Sequence, residues 1–87
     1  MKKIEFFTAR YCGKCRALKR RFIDLKDQLT DIDLVFRDID IERSRARADK
    51  VDGVPTLIYY IDGVEVNRLS GSIYEEDIIN LITEERK

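Results

Sequence analysis

Cys12 and Cys15 are the only two cysteines in this 87-residue chain, and they stand in the stretch Tyr11-Cys12-Gly13-Lys14-Cys15. An apolar run (Ile4, Phe6, Phe7) precedes the stretch, and a helical pattern (Leu18, Phe22, Leu25, Leu29) follows it. That context puts Cys12 at the first turn of a helix. Residues three apart on a helix have Cβ atoms about 5–6 Å apart. A disulfide needs about 3.5–4.5 Å, so a small adjustment at the helix start closes the bond. Unpaired N–H groups and the positive end of the helix dipole favour an anion there. A thiolate is such an anion, and it is the form that attacks disulfides. The chemistry expected is thiol–disulfide exchange, with Cys12 as nucleophile and the more shielded Cys15 resolving the mixed disulfide. Lys14, and Arg10 before the site, add positive charge that stabilises a thiolate. Gly13 leaves room for a partner's backbone. Tyr11 covers the site or contacts substrate, or else packs at the helix entry. Two alternatives stand beside this reading. One is an inert pair in a binding module. The other is zinc, which needs about four ligands; with no His and two Cys, these would have to come from a second chain or from carboxylates.

The elements that must position these residues can be read from apolar periodicity. Lys3 to Ala9 reads as a strand. A helix follows from Cys12 to about Leu29, with Cys15, Leu18, Phe22, Leu25 and Leu29 as its core stripe. Asp33 to Ile39 is a second strand. Asp40 is expected to cap a short helix over Glu42 to Asp49. Val51 to Pro55 is a loop holding the only proline. Thr56 to Ile61 and Val64 to Leu69 are strands joined by Asp62-Gly63, a strong hairpin signal. Ser72-Ile73-Tyr74-Glu75 matches a capping box. The helix after it runs to about Glu84 and buries Ile78, Ile79 and Ile82. The order β-α-β-α-β-β-α implies an α/β fold with a mixed four-stranded sheet and helices on both faces.

Composition fits one small domain spanning 1–87. A chain of this size is near the lower limit of self-sufficient folding. A disulfide closing so short a loop adds little chain-entropy stabilisation, which favours chemistry over stapling. No apolar stretch is long enough to span a membrane, and no secretory signal is evident. A cytoplasmic setting is therefore expected, where a C-x-x-C is more often catalytic or metal-binding than structural. Net charge is zero but divided: residues 1–50 carry 14 Lys/Arg against 9 Asp/Glu, and residues 51–87 carry 3 against 8. The basic half, which contains the site, either is solvated surface or steers an acidic protein partner. The Arg-rich run over residues 43–47 has no aromatic beside it for base stacking, which argues against nucleic acid.

Taken together, three features resemble the thioredoxin/glutaredoxin superfamily over essentially the whole chain. They are Cys12-Gly13-Lys14-Cys15 after the first strand, Gly53-Val54-Pro55-Thr56 opening a later one, and Gly71 before the last helix. The length resembles a glutaredoxin, whereas the local sequence around Val54-Pro55-Thr56 resembles thioredoxin more. The resemblance implies the corresponding fold, a cis Val54–Pro55 bond facing the cysteines, and substrate contacts from Tyr11, Gly13, Lys14, Val54, Pro55, Thr56 and Gly71. It implies a monomer that reduces protein disulfides with no bound cofactor or metal. Electrons come from a thioredoxin-reductase-like flavoprotein or from glutathione. This chain departs from the family pattern in several places. Tyr11 stands where Trp is usual, and Gly13-Lys14 where Gly-Pro is. Phe6 and Phe36 replace a buried Asp–Lys pair that relays a proton to the second cysteine. Ser70-Gly71-Ser72 lacks the Gly-Gly of glutathione binders.

Overall fold

A computed structural model describes residues 1–83. The order is β1 (Lys2–Thr8), α1 (Gly13–Asp24), a 3-10 turn (Lys26–Gln28), β2 (Ile32–Asp38), α2 (Arg43–Ala48), β3 (Thr56–Ile61), β4 (Val64–Ser70) and α3 (Glu75–Thr83). The four strands form one sheet in the order β2-β1-β3-β4. β1 pairs in parallel with β2, and antiparallel pairings join β1 to β3 and β3 to β4. This is the mixed sheet expected from the element order. β1 is central, so both of its faces must be covered, and Ile4, Glu5, Phe6, Phe7 and Thr8 are all buried.

Alternation along the strands divides the core in two. Ile4 and Phe6, with Leu57 and Tyr59 of β3, face α1 and α3 in a cluster that includes Cys15, Leu18, Phe22, Leu25, Ile73, Ile78 and Leu81. Phe7 and Ile58 face the other way and pack on Ala46 of α2. Helices thus lie on both faces. At the hairpin, Asp62 (φ 51) and Gly63 (φ 83) are both left-handed. Two successive positive φ values define the turn that matches strand twist, and this explains the Asp-Gly pair.

Several local expectations need correction. The first helix does not run to Leu29. It stops at Asp24, Leu25 leaves helical geometry (φ −99, ψ 8), and a 3-10 turn follows. The apolar spacing conceals this, because a tighter turn also returns to the core every three residues. Asp40 is not a helix cap. Glu42 occupies that position without a side-chain bond, while Asp38 accepts the N–H of Asp40 at 2.8 Å. The capping box lies two residues later than Ser72 would place it. The carboxylate of Asp77 accepts the Tyr74 N–H at 2.8 Å, the reciprocal half of such a box. In α3 the fully buried residues are Ile78 and Leu81, with Ile79 and Ile82 half-buried. The expected helix end at Glu84 lies outside the described residues.

Glu5 is the feature that strand alternation alone does not foresee. Its side chain is fully buried on the α2 face. Oε2 accepts from Arg37 at 3.1 Å and Arg45 at 3.2 Å, and lies 3.5 Å from Lys3 Nζ. Oε1 accepts from the Tyr60 hydroxyl at 3.4 Å. A carboxylate is tolerated in so dry a place only when it is paired and hydrogen-bonded, and Glu5 is both. Burial, followed by the nearby Glu5 charge, pushes the Tyr60 hydroxyl up to about 12.

Candidate active site

The site is built at the C-terminal end of β1. The chain leaves the sheet at Thr8 and turns through Ala9, whose carbonyl accepts the Cys12 N–H at 3.3 Å. It then enters α1 with Cys12 as the N-cap. Ser, Thr, Asp or Asn usually fills that position and satisfies an orphan N–H. Here the sulfur does so: Cys12 Sγ accepts from the Cys15 N–H at 3.0 Å. Cys12 and Cys15 form a disulfide with their Cα atoms 5.2 Å apart. The two sulfurs differ in access. Cys15 is 1% exposed and belongs to the main core cluster, whereas Cys12 is half-buried at its rim. A thiolate at Cys12 would keep the same N–H and the same helix terminus.

The second part of the site comes from the start of β3, which runs antiparallel to β1 and so begins at the same end of the sheet. The Val54–Pro55 peptide is cis, and the Pro55 ring is fully buried. Val54 packs against both core clusters, and Cys12 shares the larger of them. Thr56 lies opposite Phe7 of β1, and its hydroxyl donates to Gly53 O at 2.7 Å, closing the loop before the proline. Gly71 donates its N–H to Pro55 O at 3.1 Å from a left-handed conformation (φ 88), which ties the exit of β4 to the proline. Arg21 of α1 secures the next segment by donating to Ile73 O at 3.0 Å and stacking on Tyr74. The structure therefore brings Cys12, Cys15, Val54, Pro55, Thr56 and Gly71 to one end of the sheet.

Tyr11, Gly13 and Lys14 form the outer surface. Tyr11 is 87% exposed, so it covers nothing in the core. A Cβ added at Gly13 would meet only Arg16 Nη2, at 3.9 Å. The Arg16 guanidinium is therefore folded back toward the cysteine loop. Sequence reasoning missed the cleft of about 170 Å³ beside Tyr11, lined by Arg10, Tyr11, Asp38, Asp40 and Ile41. Ile41 is 80% exposed there. Its signal in the sequence is an apolar residue, Ile41, flanked by Asp40 and Glu42 just before a helix.

The pair expected in place of the proton relay is only half inside. Phe6 is fully buried, but Phe36, its partner in register, is 49% exposed on the edge strand. Their rings meet tilted at 45° with centroids 5.2 Å apart, and Lys19 Nζ lies 5.3 Å from the Phe36 ring. Drying near Cys15 therefore comes from Phe6 and Phe22 rather than from Phe36. Among the described residues the buried polar side chains are Glu5, Thr8 and Thr56, and the one carboxylate lies on the α2 face. No group of three or more His, Cys, Asp or Glu among the described residues is placed to hold a metal.

Comparison with known proteins places this geometry. The family model described as Thioredoxin matches residues 3–84. Thioredoxin-3 of Dictyostelium discoideum is 33% identical over 66 residues, which are 76% of this chain and 64% of that protein. The chain thus spans less than two thirds of that relative's length. A thioredoxin of Chlamydia trachomatis serovar D is 35% identical over 80 residues, 92% of this chain and 78% of its own. Among solved structures, a single-site mutant of a thioredoxin from Halobacterium salinarum NRC-1 is similar with a TM-score of 0.85 at 29% identity, covering 99% of this chain and 76% of that one.

Proposed function

The chain belongs to the thioredoxin family, and from that premise we propose that it reduces protein disulfides through Cys12 and Cys15. The observation that carries the reading is the asymmetry of the pair. One sulfur caps a helix and is reachable, and the other is enclosed one turn further in. In the proposed reaction the Cys12 thiolate attacks one sulfur of a substrate disulfide. A Cys12–substrate disulfide forms, and the first substrate thiolate leaves and takes up a proton. Cys15 then loses its proton and attacks Cys12 Sγ. The Cys12–Cys15 disulfide closes, and the second substrate thiolate departs. Two electrons pass from the enzyme pair to the substrate, and an external dithiol or thiol donor returns them.

With Phe6 at the relay position, no buried carboxylate on this face takes the Cys15 proton among the described residues. The base is then the departing substrate thiolate or water. Val54, just before β3 and in the cluster that Cys12 joins, supports a reading in which an extended substrate segment pairs with its backbone. Tyr11, Gly13 and Lys14 would flank that segment, with Pro55, Thr56 and Gly71 shaping the floor. The donor is a thioredoxin-reductase-like flavoprotein or glutathione, and the substrates are disulfide-containing proteins in a compartment that keeps thiols reduced. No helix among the described residues is long and apolar enough to cross a membrane.

An insulin-disulfide reduction assay tests the reading, with NADPH and either thioredoxin reductase or glutathione plus glutathione reductase. Turnover with one system and not the other assigns the donor. Absence of turnover with both, from protein whose pair is first shown to be reducible by dithiothreitol, contradicts the proposed activity.

A further inference from the structure

Among the described residues β2 is an edge strand: it pairs with β1 on one side only. An open edge offers a row of free N–H and C=O groups to another strand. Ile39 donates its N–H to Thr8 O at 3.0 Å. Main-chain groups alternate in direction along a strand, so Asp33, Val35 and Arg37 turn theirs toward β1. Those of Ile32, Leu34, Phe36 and Asp38 point outward; Leu29 O already accepts the Ile32 N–H and Asp38 O already accepts from Ile41 and Glu42, so the open ladder groups centre on Leu34 and Phe36. Side chains alternate as well. By register with β1, Ile32, Leu34 and Phe36 lie on the α1 face, and Asp33, Val35 and Arg37 lie on the face of Glu5.

The sequence of this edge, Ile-Asp-Leu-Val-Phe-Arg-Asp, is complementary to itself when reversed. We propose that β2 pairs antiparallel with β2 of a second copy of this chain about a two-fold axis at Val35, giving a continuous sheet. In that register Leu34 faces Phe36 of the copy, and both have outward-pointing main-chain groups, so they exchange two ladder bonds. Asp33 faces Arg37 at a non-hydrogen-bonded pair, where side chains come closest, and would add a third carboxylate to a guanidinium that Glu42 and the buried Glu5 already hold. Both contacts occur twice by symmetry. Moving the axis to Phe36 sets Leu34 against Asp38 and Arg37 against Val35. Moving it to Leu34 sets Asp33 against Val35 and leaves Asp38 unpaired. Axes between residues are excluded, because they oppose outward groups to inward ones.

Two further observations fit this occupant. Phe36 is 49% exposed, a large apolar side chain with one side open. On the same face, a cleft of about 170 Å³ is walled by Ile4, Phe22, Lys26, Leu29 and two residues of β2 itself, Ile32 and Leu34. Phe36 of the copy, opposite Leu34, would lie across its mouth. The antiparallel arrangement puts the two cysteine pairs at opposite ends of the sheet, so neither is covered.

A single strand pair buries less than the roughly 1,000 Å² expected of a stable interface, so the association is weak and reversible. Sedimentation velocity on the oxidised full chain, from about 10 µM to 1 mM, should show a concentration-dependent dimer. Asp33→Lys places a cation opposite Arg37 at two positions and should weaken the dimer at least about tenfold, with unchanged circular dichroism. The register has its own test in a Cys12→Ser, Cys15→Ser background. Val35→Cys should cross-link to its copy on mild oxidation, because facing Cα atoms lie about 4.5–5.5 Å apart. Asp33→Cys should not, because its copy is about 13 Å away along the ladder. A chain that stays monomeric throughout the range overturns the proposal. So does an Asp33→Lys dimer as tight as wild type, or cross-linking by Asp33→Cys as fast as by Val35→Cys.

Discussion

Replacing Glu5 with alanine should be the most damaging single change on the α2 face. Glu5 is fully buried, and its carboxylate joins Arg37, Arg45, Lys3 and Tyr60. Removing one member of a buried ion pair costs about 3–5 kcal/mol, because the other charge is left without compensation. The lower end applies here: Arg37 keeps Glu42 at 3.2 Å, and Arg45, which is 45% exposed, keeps Asp49 at 3.4 Å. An unfolding entropy of about 2.1 cal/mol/K per residue makes about 0.18 kcal/mol equivalent to 1 °C for a chain of 87 residues. A loss of about 3 kcal/mol then lowers Tm by about 15 °C. Glu5→Gln keeps oxygen and shape but gives up the charge, so its loss should be about half as large. Arg45→Ala removes an exposed partner and should cost about 1 kcal/mol or less. Thermal melts followed by circular dichroism, all in the oxidised state, measure the series. A Glu5→Ala Tm within about 5 °C of wild type would refute the reasoning, since it would mean that the network returns no more than water does.

Three further outcomes follow from named groups. Lys14→Glu puts a negative charge between the cysteines and should slow iodoacetamide alkylation of reduced Cys12 several-fold at about pH 7; an unchanged rate would show that local charge does not tune the thiolate. Tyr60 is neutral in the fold up to about 12, against about 10 in the unfolded chain. Its contribution to stability is therefore complete below about pH 10 and is lost as pH rises from about 10 to 12, and Tyr60→Phe should abolish that part of the alkaline decline in Tm. The guanidinium groups of Arg16 and Arg20, which with Ala17, Arg21, Asp24 and Glu75 line a cleft of about 490 Å³, should make association with an acidic redox partner fall with salt. Stopped-flow rates equal at low and physiological ionic strength would assign these charges to solvation alone.

The fold was legible because apolar period and turn chemistry agree along most of the chain. Cys15, Leu18, Phe22 and Leu25 repeat at helical spacing and are all buried. Asp62-Gly63 demands positive φ at both positions and adopts it. The cysteine pair was legible from its position between a strand and a helix. Three kinds of information were not. Helix ends depend on which N–H finds which oxygen, and neighbouring acids compete for that role, so Asp40 is not the cap its position suggests and Asp77, not Glu75, bonds back to the start of α3. A charged residue within an apolar run gives no hint of its distant partners, and the hydrogen-bond donors to Glu5 lie 32, 40 and 55 residues away. Exposure at a sheet edge depends on strand order, and so Phe36, apolar and in a strand, is half open.

In the proposed exchange Cys12 attacks and Cys15 resolves. This is tested most directly by trapping with a disulfide-bonded protein substrate, followed by mass spectrometry of the adducts. Cys15→Ser should accumulate a mixed disulfide joined at Cys12, because the enclosed thiol that would release it is gone. Cys12→Ser should accumulate none, because Cys15, 1% exposed, cannot reach a substrate sulfur. Equal trapping by the two variants, or an adduct joined at Cys15, would contradict this division of roles.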